Sequence, residues 1–172
     1  IIGGSTSAIA TIVLLLKTAS IPFGAGAITL LHREPLRPFY PTPEAARAEG
    51  FTDFGPEDIC PVSGFVYRLA GFRLEARELV LRMLRIDGRT PDPRLTVHQV
   101  TGDDDPVTRA HLAEADIVIA ALGYRPRALP IQDTNGGRIA LAADHGAAMV
   151  DRHCRIVDAN GAPIPGLYGI GL

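Results

Sequence analysis

Ile1-Ile2-Gly3-Gly4-Ser5-Thr6-Ser7-Ala8 is the stretch on which the reading of the whole chain turns. Two apolar residues fit the end of a strand, a glycine makes a tight turn, and small residues then open an apolar helix. Such an arrangement aims several free backbone N–H groups at one point, which suits a pyrophosphate. In the pattern Gly-x-Gly-x-x-Gly/Ala, the three marked positions fall on Gly3, Ser5 and Ala8, so serine replaces the middle glycine. The serine adds a Cβ where backbone would approach phosphate and offers a hydroxyl donor in return. Gly3, Gly4, Ser5, Thr6, Ser7 and Ala8 are therefore the expected nucleotide-binding residues. An ordinary strand-to-helix turn is the plainer alternative.

Working outward, Ser7 to about Ala19 is rich in alanine and leucine and nearly uncharged, as in a helix packed on a sheet. Pro22 and Gly24-Ala25-Gly26 end it, and residues 27–31 follow as a short apolar strand. Together these make a βαβ unit, whose right-handed crossover puts the glycine turn and the second strand's tip on one edge. At that tip stands His32-Arg33-Glu34-Pro35-Leu36-Arg37. Arginines here pair with the 2′-phosphate of NADP, whereas an acid bonds the ribose hydroxyls of NAD. Arg33 and Arg37 favour NADP, with His32 beside them, and Glu34 keeps NAD open. Two solvated loop arginines are the alternative.

From Pro35 to Gly71 the periodicity breaks into prolines, glycines and short aromatic pieces, which reads as an insertion with a short helix near Glu44–Glu49. Phe39, Tyr40, Phe51, Phe54, Phe65, Tyr67 and Phe72 are expected to pack this segment onto the core. Leu74 to Ile86 reads as a surface helix ending near Asp87-Gly88, and Arg94 to Val100 alternates like a half-exposed strand. The lone His98 is read as structural, and Gly102-Asp103-Asp104-Asp105-Pro106 as a solvated turn without the spacing of a calcium loop.

The 172 residues, 47% of them hydrophobic, suffice for one domain with a core or one domain and part of another. A net charge of −2 gives no broad attraction to nucleic acid or an anionic membrane, so neither is an expected partner. Cys60 and Cys154 lie far apart, without a Cys-x-x-Cys or a His/Cys cluster, which predicts no metal site and fits a reducing cytoplasm. The apolar run Ile9 to Leu16 is too short to span a bilayer, and no basic segment precedes it as in a secretory signal. With isoleucine rather than methionine first, the chain reads as a fragment or a processed product.

The second informative stretch is Ala115-Asp116-Ile117-Val118-Ile119-Ala120-Ala121-Leu122-Gly123-Tyr124-Arg125-Pro126. It resembles the strand leaving the nucleotide domain in flavoproteins with two dinucleotide-binding domains, which read A-x-G-Y-x-P after an acidic residue and a hydrophobic run. Asp116, Gly123, Tyr124 and Pro126 match, and Leu122 stands where threonine is common. Residues 161–171 resemble the P-G-L-Y/F-A-x-G strand of the FAD domain, with Leu172 where an acid often follows. The resemblance implies an α/β, Rossmann-like three-layer fold with a mostly parallel sheet, plus a C-terminal piece of an FAD-binding domain. It implies an NAD(P)-binding domain over 1–126, with the insertion at about 35–71, and part of the second FAD-domain half over 127–172. Gly123 and Tyr124 would lie near the interdomain crossing.

The implied activity is that of an NAD(P)H-dependent flavin oxidoreductase or monooxygenase in which NADPH delivers hydride to FAD. FAD would be held mostly by a missing FAD-binding segment or partner chain, because the first FAD fingerprint is absent. No side chain is required as acid or base for hydride transfer, so no catalytic residue is expected here. The lack of Cys-x-x-Cys argues against dithiol reduction. A nucleotide-binding or partner-binding module without catalysis, or an inactive fragment, remains the alternative.

Overall fold

The computed structural model describes residues 1–18, 20–123, 130–142 and 149–169. They form two compact units, residues 1–123 and 124–172, each mixing or pairing its elements independently.

The first unit is α/β. Helix α1 spans Thr6–Lys17, two residues shorter at its C-terminal end than the sequence pattern suggests, and strand β1 spans Ile28–His32. Strand β2, Leu95–Gln99, lies parallel to β1, with Ile28 opposite Leu95 and His32 opposite Gln99. On the other side of β1, Ile2 forms parallel bridges to both Leu31 and Ala120. Backbone bonds from Gly3 N to Leu31 O (2.9 Å) and from Ala121 N to Ile2 O (2.8 Å) fix this register. Four parallel segments thus lie side by side in the order 95–99, 28–32, 1–3, 119–121.

Alternation along β1 decides what covers the sheet. Ile28 and Leu30 point to one face, where Ala8, Ile9 and Ile12 of α1 and Leu79 and Val80 of helix α3 (Leu74–Met83) complete a buried core. Burying each such aliphatic side chain contributes about 1.5–3 kcal/mol. Thr29 and Leu31 point the other way, toward helix α4 (Pro106–Glu114), where a groove of about 600 Å³ is lined by Leu31, Phe23, Leu112 and Ile117 among others. Arg94 anchors the start of β2. Its guanidinium grips Asp92 in a bidentate pair (2.9 and 2.7 Å) and donates to the Leu16 carbonyl at the end of α1. That pair holds the Asp92 carboxyl down at about 2.

The insertion has a small core of its own. Helix α2, Pro43–Ala48, starts at Thr42, whose hydroxyl accepts from the Ala45 amide, with Pro43 in the first turn. Tyr40, Ala46, Phe51, Val66 and Tyr67 pack together against Leu81 of α3. Tyr40 and Phe51 stack with centroids 5.5 Å apart, and Phe39 meets Phe65 edge-on at 5.3 Å. Glu49 then ties the insertion to the main core: it pairs with Arg77 of α3 and accepts from Arg89 at 2.7 Å.

The second unit is antiparallel. Strands β3 (Arg155–Val157) and β4 (Pro163–Tyr168) pair with Arg155 opposite Tyr168. Bridges join Gln132 to Arg138, Leu141 to Asp158 and Val150 to Ile156. An aspartate organises each turn: Asp133, Asp151 and Asp158 each accept two backbone amides through Oδ1.

Candidate functional site

The carboxyl ends of the four parallel segments converge on the opening turn. Gly3 has φ +138°, a conformation that favours glycine, and is packed directly under residue 121 of the neighbouring segment. Gly4 faces His32, and a Cβ added there would lie 3.0 Å from the His32 Cβ. Gly3 is thus required by close backbone packing at the junction of residues 1–3 and 119–121, and Gly4 sits tightly against the His32 side chain. Ser5 follows in extended conformation as the N-cap of α1, yet its side chain makes no capping bond.

The first intrahelical acceptor is the Ser5 carbonyl, taken by Ala8 N (3.1 Å) and Ile9 N (3.2 Å). The amides of Gly4, Ser5, Thr6 and Ser7 donate to no group among the described residues. Ser5 and Thr6 are exposed, Ser7 is half-buried, and Ala8 is fully buried as the first residue seated on the core. The first turn of α1 carries no acidic residue. Four amides without a partner among the described residues, two exposed hydroxyls and the positive end of a twelve-residue helix with no acid in its first turn offer donors to an anion.

Around this turn the other expected residues separate. His32, the last residue of β1, is buried, and its Nδ1 donates to the Glu34 carbonyl at 2.8 Å, which fixes the turn out of the strand. Arg33 projects into solvent and bonds Asp103 at 2.8 Å, while Gln99 at the end of β2 donates to the Arg33 carbonyl at 2.9 Å. Arg37 belongs to the insertion: its guanidinium lies over the Tyr67 ring, 5.3 Å from the centroid. The two arginines therefore engage different elements. Gly123 closes the 119–121 segment with φ +85° and open space around its Cα. Tyr124, Arg125 and Pro126 lie outside the described residues, as do Ile170, Gly171 and Leu172 of the C-terminal motif.

In the loop after β2, Asp105 is densely bonded. It is buried, accepts from Thr101 N (3.0 Å) and His98 Nε2 (2.8 Å), and caps α4 through Val107 N and Thr108 N. These donors, the Thr101 amide foremost, hold its carboxyl well below the usual carboxylate range. His98 is structural in this sense, joining β2 to the cap of α4. The sequence pattern marks Asp105 as part of a solvated turn, whereas it is buried and caps α4. The signal was an aspartate followed directly by proline, an N-cap with Pro at the first helical position.

No cluster of His, Cys, Asp and Glu able to hold a metal occurs among the described residues. No helix among them is long and apolar enough to cross a membrane.

Among curated proteins, the chain is similar to the CMP-5'-(3-aminopropyl)phosphonate hydroxylase of Streptomyces rubellomurinus, with 32% identity over 158 residues. That similarity covers 88% of this chain and 35% of the hydroxylase, so the chain spans about a third of the length of this curated relative. No protein-family profile matches the chain, and no solved structure matches it.

Proposed function

We propose that residues 1–123 are the NAD(P)H-binding, Rossmann-like part of an FAD-dependent hydroxylase or related oxidoreductase, with NADPH as the preferred nucleotide. One observation carries this reading, the order of the parallel segments. The chain steps from residues 1–3 to β1 and on to β2, then returns to the opposite side of residues 1–3 at 119–121. In open parallel sheets ligands bind outside the carboxyl ends of strands where the order reverses, and 3-2-1-4 is the start of the dinucleotide-binding order. The reversal here falls between Gly3 and Ala121, where the unpartnered amides of Gly4 to Ser7 stand.

In this reading the amides of Gly4, Ser5, Thr6 and Ser7 and the hydroxyls of Ser5 and Thr6 hold the pyrophosphate. Arg33 meets the 2′-phosphate, and Gly123, at φ +85°, puts no side chain at the end of the 119–121 segment. NADPH, when bound, supplies the hydride that reduces flavin, and the chain's own residues bind and orient it. The flavin and the oxidised substrate belong to a segment or partner beyond these residues. Similarity to a hydroxylase supports an oxidoreductase of this kind, and its full activity is part of the proposal.

Ser5→Asp tests the reading. Aspartate is as good an N-cap as serine, so α1 is retained, while a carboxylate is placed where phosphate would bind. The expected result is unchanged circular dichroism with NADPH affinity reduced about tenfold or more, the loss of at least one charged hydrogen bond. Unchanged affinity in the folded variant overturns the assignment.

A further inference from the structure

The loops after β1 and β2 leave the sheet side by side, held by the bond from Val100 N to His32 O at 2.8 Å. Gln99 fixes the backbone of Arg33, so only the arginine side chain is free to choose a partner. In this structure its partner is Asp103, and both side chains are well exposed, at 72% and 91%. The other two acids of the loop after β2 are otherwise engaged: Asp104 pairs with Arg109, and Asp105 is buried on His98 and the α4 amides.

From this geometry, and resting on the nucleotide-site reading above, we infer that Asp103 is an internal competitor for the 2′-phosphate, a specificity-determining residue that sets how strongly the site prefers 2′-phosphorylated adenosine. A phosphate monoester carries up to two charges and three acceptor oxygens, so it displaces a single solvated carboxylate from Arg33. An adenosine without that phosphate leaves the Arg33–Asp103 pair in place. Asp103 therefore weakens binding of 2′-phosphorylated ligands and is silent toward the others. The effect is bounded by the strength of an exposed ion pair, which corresponds to a change of roughly 1.5- to 5-fold.

The test titrates the full chain with 2′,5′-ADP and with 5′-AMP, comparing the parent with Asp103→Asn, Arg33→Ala and the double variant. Asp104→Asn serves as a control with the same change in net charge. Asp103→Asn is expected to tighten 2′,5′-ADP about two- to five-fold at low salt and leave 5′-AMP unchanged. In the Arg33→Ala background the gain disappears. An equal gain in Asp104→Asn, a gain that survives Arg33→Ala, or an unchanged 2′,5′-ADP to 5′-AMP ratio overturns the competitor role while leaving the nucleotide site standing. Absence of binding by both ligands, in parent and variants alike, removes the site reading and this inference together.

Discussion

A Cβ on Gly3 would stand 2.2 Å from the carbonyl oxygen of Ala121, closer than any side chain tolerates. Both atoms are backbone-fixed, because Ala121 N donates to Ile2 O. Gly3→Ala therefore forces residues 119–121 away from residues 1–3 and also places alanine at φ +138°. The expected cost is about 3 kcal/mol or more. Urea unfolding followed by tyrosine fluorescence, in a chain without tryptophan, measures it. A variant as stable as the parent would show that the junction relaxes freely.

Breaking the tie of the insertion to α3 has a different signature. Glu49 is about four-fifths buried and serves both Arg77 and Arg89, whose side chains are equally sheltered. Glu49→Ala leaves two guanidinium groups short of their acceptor and should cost about 2 kcal/mol. Arg77 also covers the Tyr40 ring at 4.5 Å, so amide exchange in residues 40–51 should accelerate more than in β1 or α1. Uniform acceleration throughout the first unit would contradict a local role.

Asp105 predicts an acid-sensitive link. Its folded carboxyl ionises well below the unfolded value of about 3.9, so the stabilisation is complete above that value and is lost as pH falls through the folded one. Asp105→Ala should lower the melting temperature at pH 7 more than Asp103→Ala or Asp104→Ala. That difference from the parent should shrink steadily as pH is lowered from about 5. A gap independent of pH would mean that packing, and not the carboxylate, holds the cap of α4.

Cys60 predicts a reactive thiol. The Ser63 side chain and amide, followed by Arg68 at 3.4 Å from the sulfur, lower its thiol to about 6. Iodoacetamide labelling read by mass spectrometry should show Cys60 modification rising with an inflection near pH 6. In Arg68→Ala the inflection should move upward, and an unmoved profile would remove Arg68 from the account.

The first βαβ unit was legible because its signals are local: glycine turn, apolar helix, Pro22 and the Gly24–Gly26 break lie within thirty residues. The tight glycine turn that opens α1 was legible for the same reason. What escaped was set by distant partners. Glu49 meets Arg77 and Arg89 across 28 and 40 residues, and no periodicity encodes such pairing. Arg37 sits four residues from Arg33 in sequence, yet the ring of Tyr67 draws it into the insertion. The apolar run from Ala115 reads as a strand, but Ile117 and Val118 are 78% and 50% exposed, and among the described residues the bridge in this run is at Ala120. Helix α4 was missed because none of its residues is buried, leaving the cap as its sole clear sequence mark.

The groove on the Thr29 and Leu31 face of the sheet has a consequence for the chain's colloidal behaviour. Parallel sheets are ordinarily covered on both faces, and this one leaves Leu112, Ile117 and Val118 exposed along a groove of about 600 Å³ that reaches the buried Leu31. Such a surface takes up amphiphilic dyes without unfolding and becomes adhesive in sulfate or phosphate, which strengthen apolar burial. Salting-out behaviour, rather than thermal melting, is thus where this face makes itself felt, and a lysine in place of Ile117 is the change that keeps the chain dispersed.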